Sequence, residues 1–278
     1  MTSGLFGVGR LALWEQSAVG LRATGAGTLG AWDADGSWRP SPAGYQDDEL
    51  RVDVTALLRL WQRGQIYALA PVVTNRRGHG DDLGTAGGLG DLELGVRYEL
   101  LETGEHPWLP ALGVTASALL PTAVRPEEAQ APWGVDATGR GAPGVGAAVS
   151  AEQLFGRLFA RLDGGAVLYA PFVRSDLRQA QRFGPSVAAA ASIGGLAVDA
   201  LVLGATVGVV HDRPLTLGQD EVPASAATLA SAGLFASYTL WGHWTLVAST
   251  SSGLFLDGLG QNRPGRVTAS LGVRYGAF

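Results

Sequence analysis

The chain has 278 residues, 46% of them hydrophobic and only 16% charged, with a formal net charge of −5. That length suits one large barrel or two ordinary domains, and the interspersed charges leave no basic patch of the kind nucleic acid requires. There is no cysteine, which excludes disulfides, thiolate metal sites and cysteine nucleophiles, and no apolar run long enough for a spanning helix, which argues against a helical membrane protein.

Residues 1–16 open the chain. Leu5–Trp14 carries Arg10 and two glycines, with neither a basic leader nor a compact apolar stretch, so no signal peptide is visible. A secreted protein needs one, and it is expected upstream of Met1. The segment reads as a tail or plug, with an extra strand as the alternative.

From residue 17 onward the chain reads as one domain of strands separated alternately by short and long breaks. The short connections are Gln62–Gln65, Glu102–Glu105, Gln153–Gly156, Gly194-Gly195 and Trp241–His243. The long polar segments are 33–48, 76–87, 122–138, 172–183, 211–222 and 257–265. Between them lie strands at 20–32, 48–61, 65–75, 88–101, 107–121, 139–153, 157–171, 184–194, 197–211, 223–240, 243–256 and 266–278. That is about twelve, an even number, and several reach the roughly ten residues that a tilted membrane strand requires. The predicted fold is all-β: an up-and-down antiparallel transmembrane β-barrel over 17–278.

The faces carry this reading, because side chains alternate across a strand with period 2. In 48–61, Val52, Val54, Ala56, Leu58 and Leu60 oppose Arg51, Asp53, Thr55 and Arg59. In 88–101, Leu92, Leu94, Val96, Tyr98 and Leu100 oppose Glu93, Gly95, Arg97 and Glu99. In 157–171, Leu158, Ala160 and Leu162 oppose Arg161 and Asp163; in 266–278, Val267, Ala269, Leu271, Val273 and Tyr275 oppose Ser270, Gly272 and Arg274. An arginine facing lipid at mid-bilayer costs about 2–4 kcal/mol. Arg51, Asp53, Arg59, Glu93, Arg97, Glu99, Arg161, Asp163 and Arg274 are therefore expected to line the lumen. Residues 197–210 are apolar on both faces and fit less well.

Trp61, Trp108, Phe155, Trp241 and Trp244 lie within a few residues of short turns, where interfacial rings are expected to meet both oil and water. A second aromatic group, including Trp32, Trp38 and Phe255, lies near the long loops. The C-terminal Phe278 suggests the aromatic end read by the barrel-assembly machinery, with Tyr275 one residue further from it than the usual two places. Alternation would place it opposite Tyr275 unless a bulge at Gly276 restores the face.

Gly88-Leu89-Gly90-Asp91 opening one strand, Leu119-Leu120-Pro121-Thr122 closing the next, and Thr138-Gly139-Arg140-Gly141 after it resemble the outer-membrane transporter family labelled as meta-pathway phenol-degradation proteins. The similarity spans roughly residues 60–278, with Ala123 in place of the family's glycine. It implies an outer-membrane barrel that moves small, often apolar compounds, and it implies no catalytic residues.

No catalytic set, metal site or cofactor motif is legible. Asp136-Ala137-Thr138-Gly139 reads as a turn, the four histidines make no spaced metal pair, and Gly87–Gly90 precedes a strand rather than a phosphate-cradling helix. The expected partners are the lipid bilayer, a small-molecule solute and the assembly machinery. The expected function is passive diffusion of small molecules. The alternatives are a structural or surface barrel presenting 33–48 and 122–138 without transport, and a soluble all-β protein.

Overall fold

The computed structural model describes residues 10–12, 14–106, 108–174, 179–240 and 243–278. Twelve antiparallel strands form a closed barrel: β1 (Ser17–Trp32), β2 (Tyr45–Trp61), β3 (Gly64–His79), β4 (Leu92–Leu101), β5 (Ala111–Leu120), β6 (Gly144–Phe155), β7 (Leu158–Tyr169), β8 (Ser186–Val198), β9 (Leu201–Asp212), β10 (Ala227–Leu240), β11 (Trp244–Gly253) and β12 (Arg263–Ala277). Each pairs with its neighbour in sequence. β1 pairs with β12 over Ser17↔Ala277 to Trp32↔Arg263, which closes the ring and leaves no open edge along the barrel body.

Alternation decides which face each strand presents. Along β4, Leu94, Val96, Tyr98 and Leu100 are exposed on the outer face, while Glu93, Gly95, Arg97 and Glu99 turn inward. The same two-residue rhythm exposes Val54 and Leu58 on β2, Leu162 on β7 and Leu271 on β12. β9 also obeys it, with Leu203, Val207 and Val209 outward. Its inner face, with Gly204, Thr206 and Gly208, is small rather than charged, which is why both faces look apolar in sequence. An apolar band around a closed barrel with a polar interior is the architecture that satisfies every backbone group inside a bilayer.

Several expected boundaries move. Residues 76–87 are not a loop. β3 continues to His79, and a two-residue turn leads into a strand at Asp82–Leu89 that pairs back along it, Val72↔Leu89 to His79↔Asp82. β4 is thus the lower half of a broken strand, interrupted at Gly90-Asp91. Gly194-Gly195 is not a turn: both pair across β8 and β9, and the chain reverses at Asp199-Ala200. Residues 139–143 precede β6 rather than opening it, and β5 starts at Ala111. The segments 172–183 and 211–222 hold short strands that form a separate four-stranded sheet at the long-loop end. No bulge occurs at Gly276, which pairs with Ala18 in unbroken register.

Candidate functional site: the charged lumen and its two ends

The inner wall is a ladder of ion pairs. Asp53, only 1% exposed, accepts from Arg22 at 3.0 Å and from Arg51 at 2.6 Å. Arg97 donates to Glu99 at 2.6 Å and to the Ser150 hydroxyl at 2.8 Å, and Arg161 grips Asp163 through Nε and Nη2 at 2.7–3.0 Å. Both of these pairs join residues i and i+2 of one strand, which share a face. Among the described residues Glu93 has no arginine within ion-pair distance; it accepts from the Tyr67 hydroxyl at 2.7 Å. The Tyr67 ring lies flat across Gly95, where an added Cβ would meet it at 2.4 Å, so only glycine lets the ring reach Glu93.

Arg59 and Arg274 turn to the tail instead. Arg59 donates to the carbonyls of Ala12 at 2.6 Å, Glu15 at 2.8 Å and Gln62 at 2.7 Å. Arg274 meets the Glu15 carboxylate with both terminal nitrogens, at 2.8 and 2.5 Å. Residues 10–12 and 14–16 therefore lie inside the short-turn end of the barrel. Leu11 packs with Ala18, Leu57 and Tyr67, while its N–H donates to Gln65 at 2.8 Å. Arg10 crosses to Glu152 at 2.9 Å and Thr103 at 2.7 Å. Glu15 sits over Gly276, where any Cβ would strike its carboxylate. Burial raises the pKa of Glu15, but the Arg274 fork, the Ala12 N–H and the Arg59 charge together outweigh it and hold the group below the ordinary carboxylate value. Between tail and wall remains a cavity of about 370 Å³, lined among others by Arg10, Trp14, Arg63, Glu99 and Glu102.

Three sequence motifs converge where β4 is broken. Asp91 accepts backbone N–H bonds from Ala123 (3.3 Å), Arg140 (3.0 Å) and Gly141 (3.1 Å). The Thr122 hydroxyl donates to the Gly90 carbonyl at 2.6 Å and accepts from Leu92 N–H, and the Thr138 hydroxyl donates to Leu89 at 2.5 Å. Pro71 on β3 faces the break; its carbonyl takes the Gly90 N–H at 2.8 Å. Asp82–Leu89 pairs with β3 alone, so the strip 122–141 covers its other side, with Asn75 donating to the Val135 and Ala137 carbonyls.

At the short-turn end, Trp61, Trp108, Phe155 and Trp244 are exposed. Trp241 lies outside the described residues. Trp244 packs on Tyr275 at 4.9 Å, and His243 lies between Tyr275 and Phe278, at 5.8 and 4.7 Å. At the long-loop end Trp32, Trp38 and Phe255 pack on one another at 4.6–6.0 Å, and Trp32 is buried, so these three fill the mouth instead of facing outward. Sequence reasoning missed Arg22, Arg266, Glu15 and Arg10. Arg266 shares its parity on β12 with Arg274, a signal that could have found it; it meets Glu49 at 2.7 Å and Asp47 at 3.3 Å. The tail residues gave no such signal.

The fold resembles two solved structures over nearly the whole chain. The COG4313 outer membrane channel from Pseudomonas putida F1 aligns with 95% of this chain and 97% of its own, at a TM-score of 0.77 and 16% identity. The beta domain of the Bordetella autotransporter BrkA aligns with 94% of this chain and all of its own, at a TM-score of 0.56 and 13% identity. No family model and no curated protein matches the chain. At these identities the likeness establishes the barrel fold.

Proposed function

We propose that this protein is an outer-membrane channel that passes small molecules, apolar ones among them, by passive diffusion, and that residues 1–16 act as its plug. The observation that carries this reading is the tail seated in the short-turn end of a closed, charge-lined barrel, held by side chains from β2, β3, β6 and β12. A barrel of about twelve strands is intermediate in bore, wide enough for a small solute once a filling segment leaves. Arg51, Asp53, Arg97, Glu99, Arg161 and Asp163 would then line the path. All six are already paired, so the wall offers polarity without a strong field of one sign. The outer-membrane setting follows from the antiparallel barrel and its apolar outer band. The exposed rings Trp61, Trp108, Phe155 and Trp244 would mark the boundary nearer the tail.

The Gly-Leu-Gly-Asp, Leu-Pro-Thr and Thr-Gly-Arg-Gly segments meet around Asp91, and this supports the resemblance to the phenol-degradation transporter family. A shared joint explains why such distant short motifs should occur together. The chain is proposed to be one of its members, with the barrel-assembly machinery as its route into the membrane.

Planar-bilayer recording tests the channel reading. The full chain should give little stable conductance, and a chain lacking residues 1–16 should give lasting open events and admit small solutes into vesicles. A truncated barrel that migrates as a folded, heat-modifiable species yet passes neither ions nor solute would overturn it, leaving the structural-barrel alternative.

A further inference from the structure

At the long-loop end two arginines from opposite sides of the lumen share one carboxylate. Arg140, from the strip before β6, reaches Asp212 at the end of β9 at 2.5 Å, and Arg263, at the start of β12, reaches the same oxygen, Oδ2. The second oxygen of Asp212 and the Nε of Arg263 are buried and have no hydrogen-bond partner among the described residues. The nearby acids Asp47 and Glu49 are engaged by Arg77 and Arg266. Asp91, the other acid beside Arg140, is taken up by backbone N–H groups, so among the described residues Asp212 is the one carboxylate that these two guanidinium groups reach.

Its walls are aromatic. The Arg140 guanidinium lies 4.8 Å from the Tyr169 ring centre and 5.4 Å from that of Phe183, and those two rings meet edge to face at 5.8 Å. Both arginine side chains keep a quarter or more of their surface open. Asp53 and Asp47 in the wall also take two arginines each, but among the described residues no ring lies over those guanidinium groups. An unmatched guanidinium beside stacked rings is a different combination: it suits a small planar molecule that carries a negative charge at one end.

We propose that this cluster is a binding site for small aromatic carboxylates entering from the long-loop side. The ligand carboxylate would take the guanidinium edges that Asp212 leaves unsatisfied, and its ring would pack beside Tyr169 and Phe183. The inference names a solute class for the channel proposed above and rests on that reading, but its test does not use transport.

Benzoate, benzamide and acetate are titrated into the full chain in detergent micelles, with binding followed by calorimetry against protein-free micelles. Benzoate should bind at least about tenfold more tightly than benzamide, its neutral isostere, and than acetate, which lacks the ring. Arg263→Gln should lose that preference. Asp212→Asn, which removes the competing carboxylate, should tighten benzoate binding, an outcome opposite to that of a purely structural pair. Equal affinity for benzoate and benzamide, no saturable benzoate binding by the unmodified protein, or weaker benzoate binding by a folded Asp212→Asn would overturn the proposal. Benzoate selectivity in a protein whose truncated form conducts nothing would uphold the site and reject the channel; conductance without selectivity would do the reverse.

Discussion

In the proposed plug, Glu15 is the residue on which the closed state turns. Its carboxylate is held below the ordinary glutamate value of 4.5 when seated, burial being outweighed by Arg274, the Ala12 N–H and Arg59. A group whose pKa is lowered on seating favours the seated state while it is ionised. That contribution is complete above the free-tail value and disappears as pH falls through the depressed one. Conductance of the full chain should therefore stay low at pH 7 and rise on acidification below about 4.5. Glu15→Gln should raise it already at pH 7, and the truncated chain should show no such step. A full chain equally silent at pH 7 and pH 3.5, still folded, would remove Glu15 from this role. None of this was readable from the sequence. Arg59 and Arg274 fall on the charged faces by simple parity, but their partner lies in a segment with no alternation, 44 and 259 residues away. The pairs Arg97–Glu99 and Arg161–Asp163 needed no such reach, because both members sit on one face of one strand.

The broken strand shows what alternation reveals in an element and what it hides. Every barrel strand overlaps its expected range because apolar and polar residues alternate along it, while the ends, where alternation fades, move by several residues in β3, β4, β5, β6, β8, β9 and β10. Asp82–Leu89 escaped notice: Gly84, Thr85, Ala86, Gly87 and Gly88 are small on both faces, so the segment has no contrast to read. The joint at Asp91 escaped for another reason. Its donors come from 32, 49 and 50 residues downstream, and only the fold brings them together. Asp91→Ala would strand three backbone N–H groups, each worth roughly 1 kcal/mol. Hydrogen exchange at 122–124 and 138–141 should accelerate by more than tenfold, with the strands on the far side of the barrel unchanged. Protection equal to that of the parent protein would show that the joint is held by packing alone.

For the whole molecule, the outer surface is the decisive feature. Leu94 is 48% exposed on the apolar band, with Glu93 and Gly95 on the opposite face. In a bilayer that exposure is contact with acyl chains. Leu94→Arg should cost about 2–4 kcal/mol in refolding into lipid vesicles, whereas an exposed site on a soluble sheet would tolerate it at nearly no cost. Equal refolding midpoints for the two proteins would contradict a membrane-embedded band. The fold class was the most legible property of the chain, because lipid outside and water or side chains inside impose one pattern on every strand.

The tail also bears on the order in which the molecule can be completed. Gln16 gives its N–H to Ala277 on β12 and accepts from Arg59 on β2, while Glu15 is clasped by Arg274. These partners lie on β2 and β12, the two neighbours of β1, so the docking surface does not exist until β1 and β12 have met in register. Occupancy by the tail is thus conditional on a correctly zipped seam. A barrel with its last strand slipped by one residue would present Arg274 to lipid and offer the tail no cradle. The same contacts that hold the tail in the short-turn end also distinguish a finished cylinder from an unfinished one.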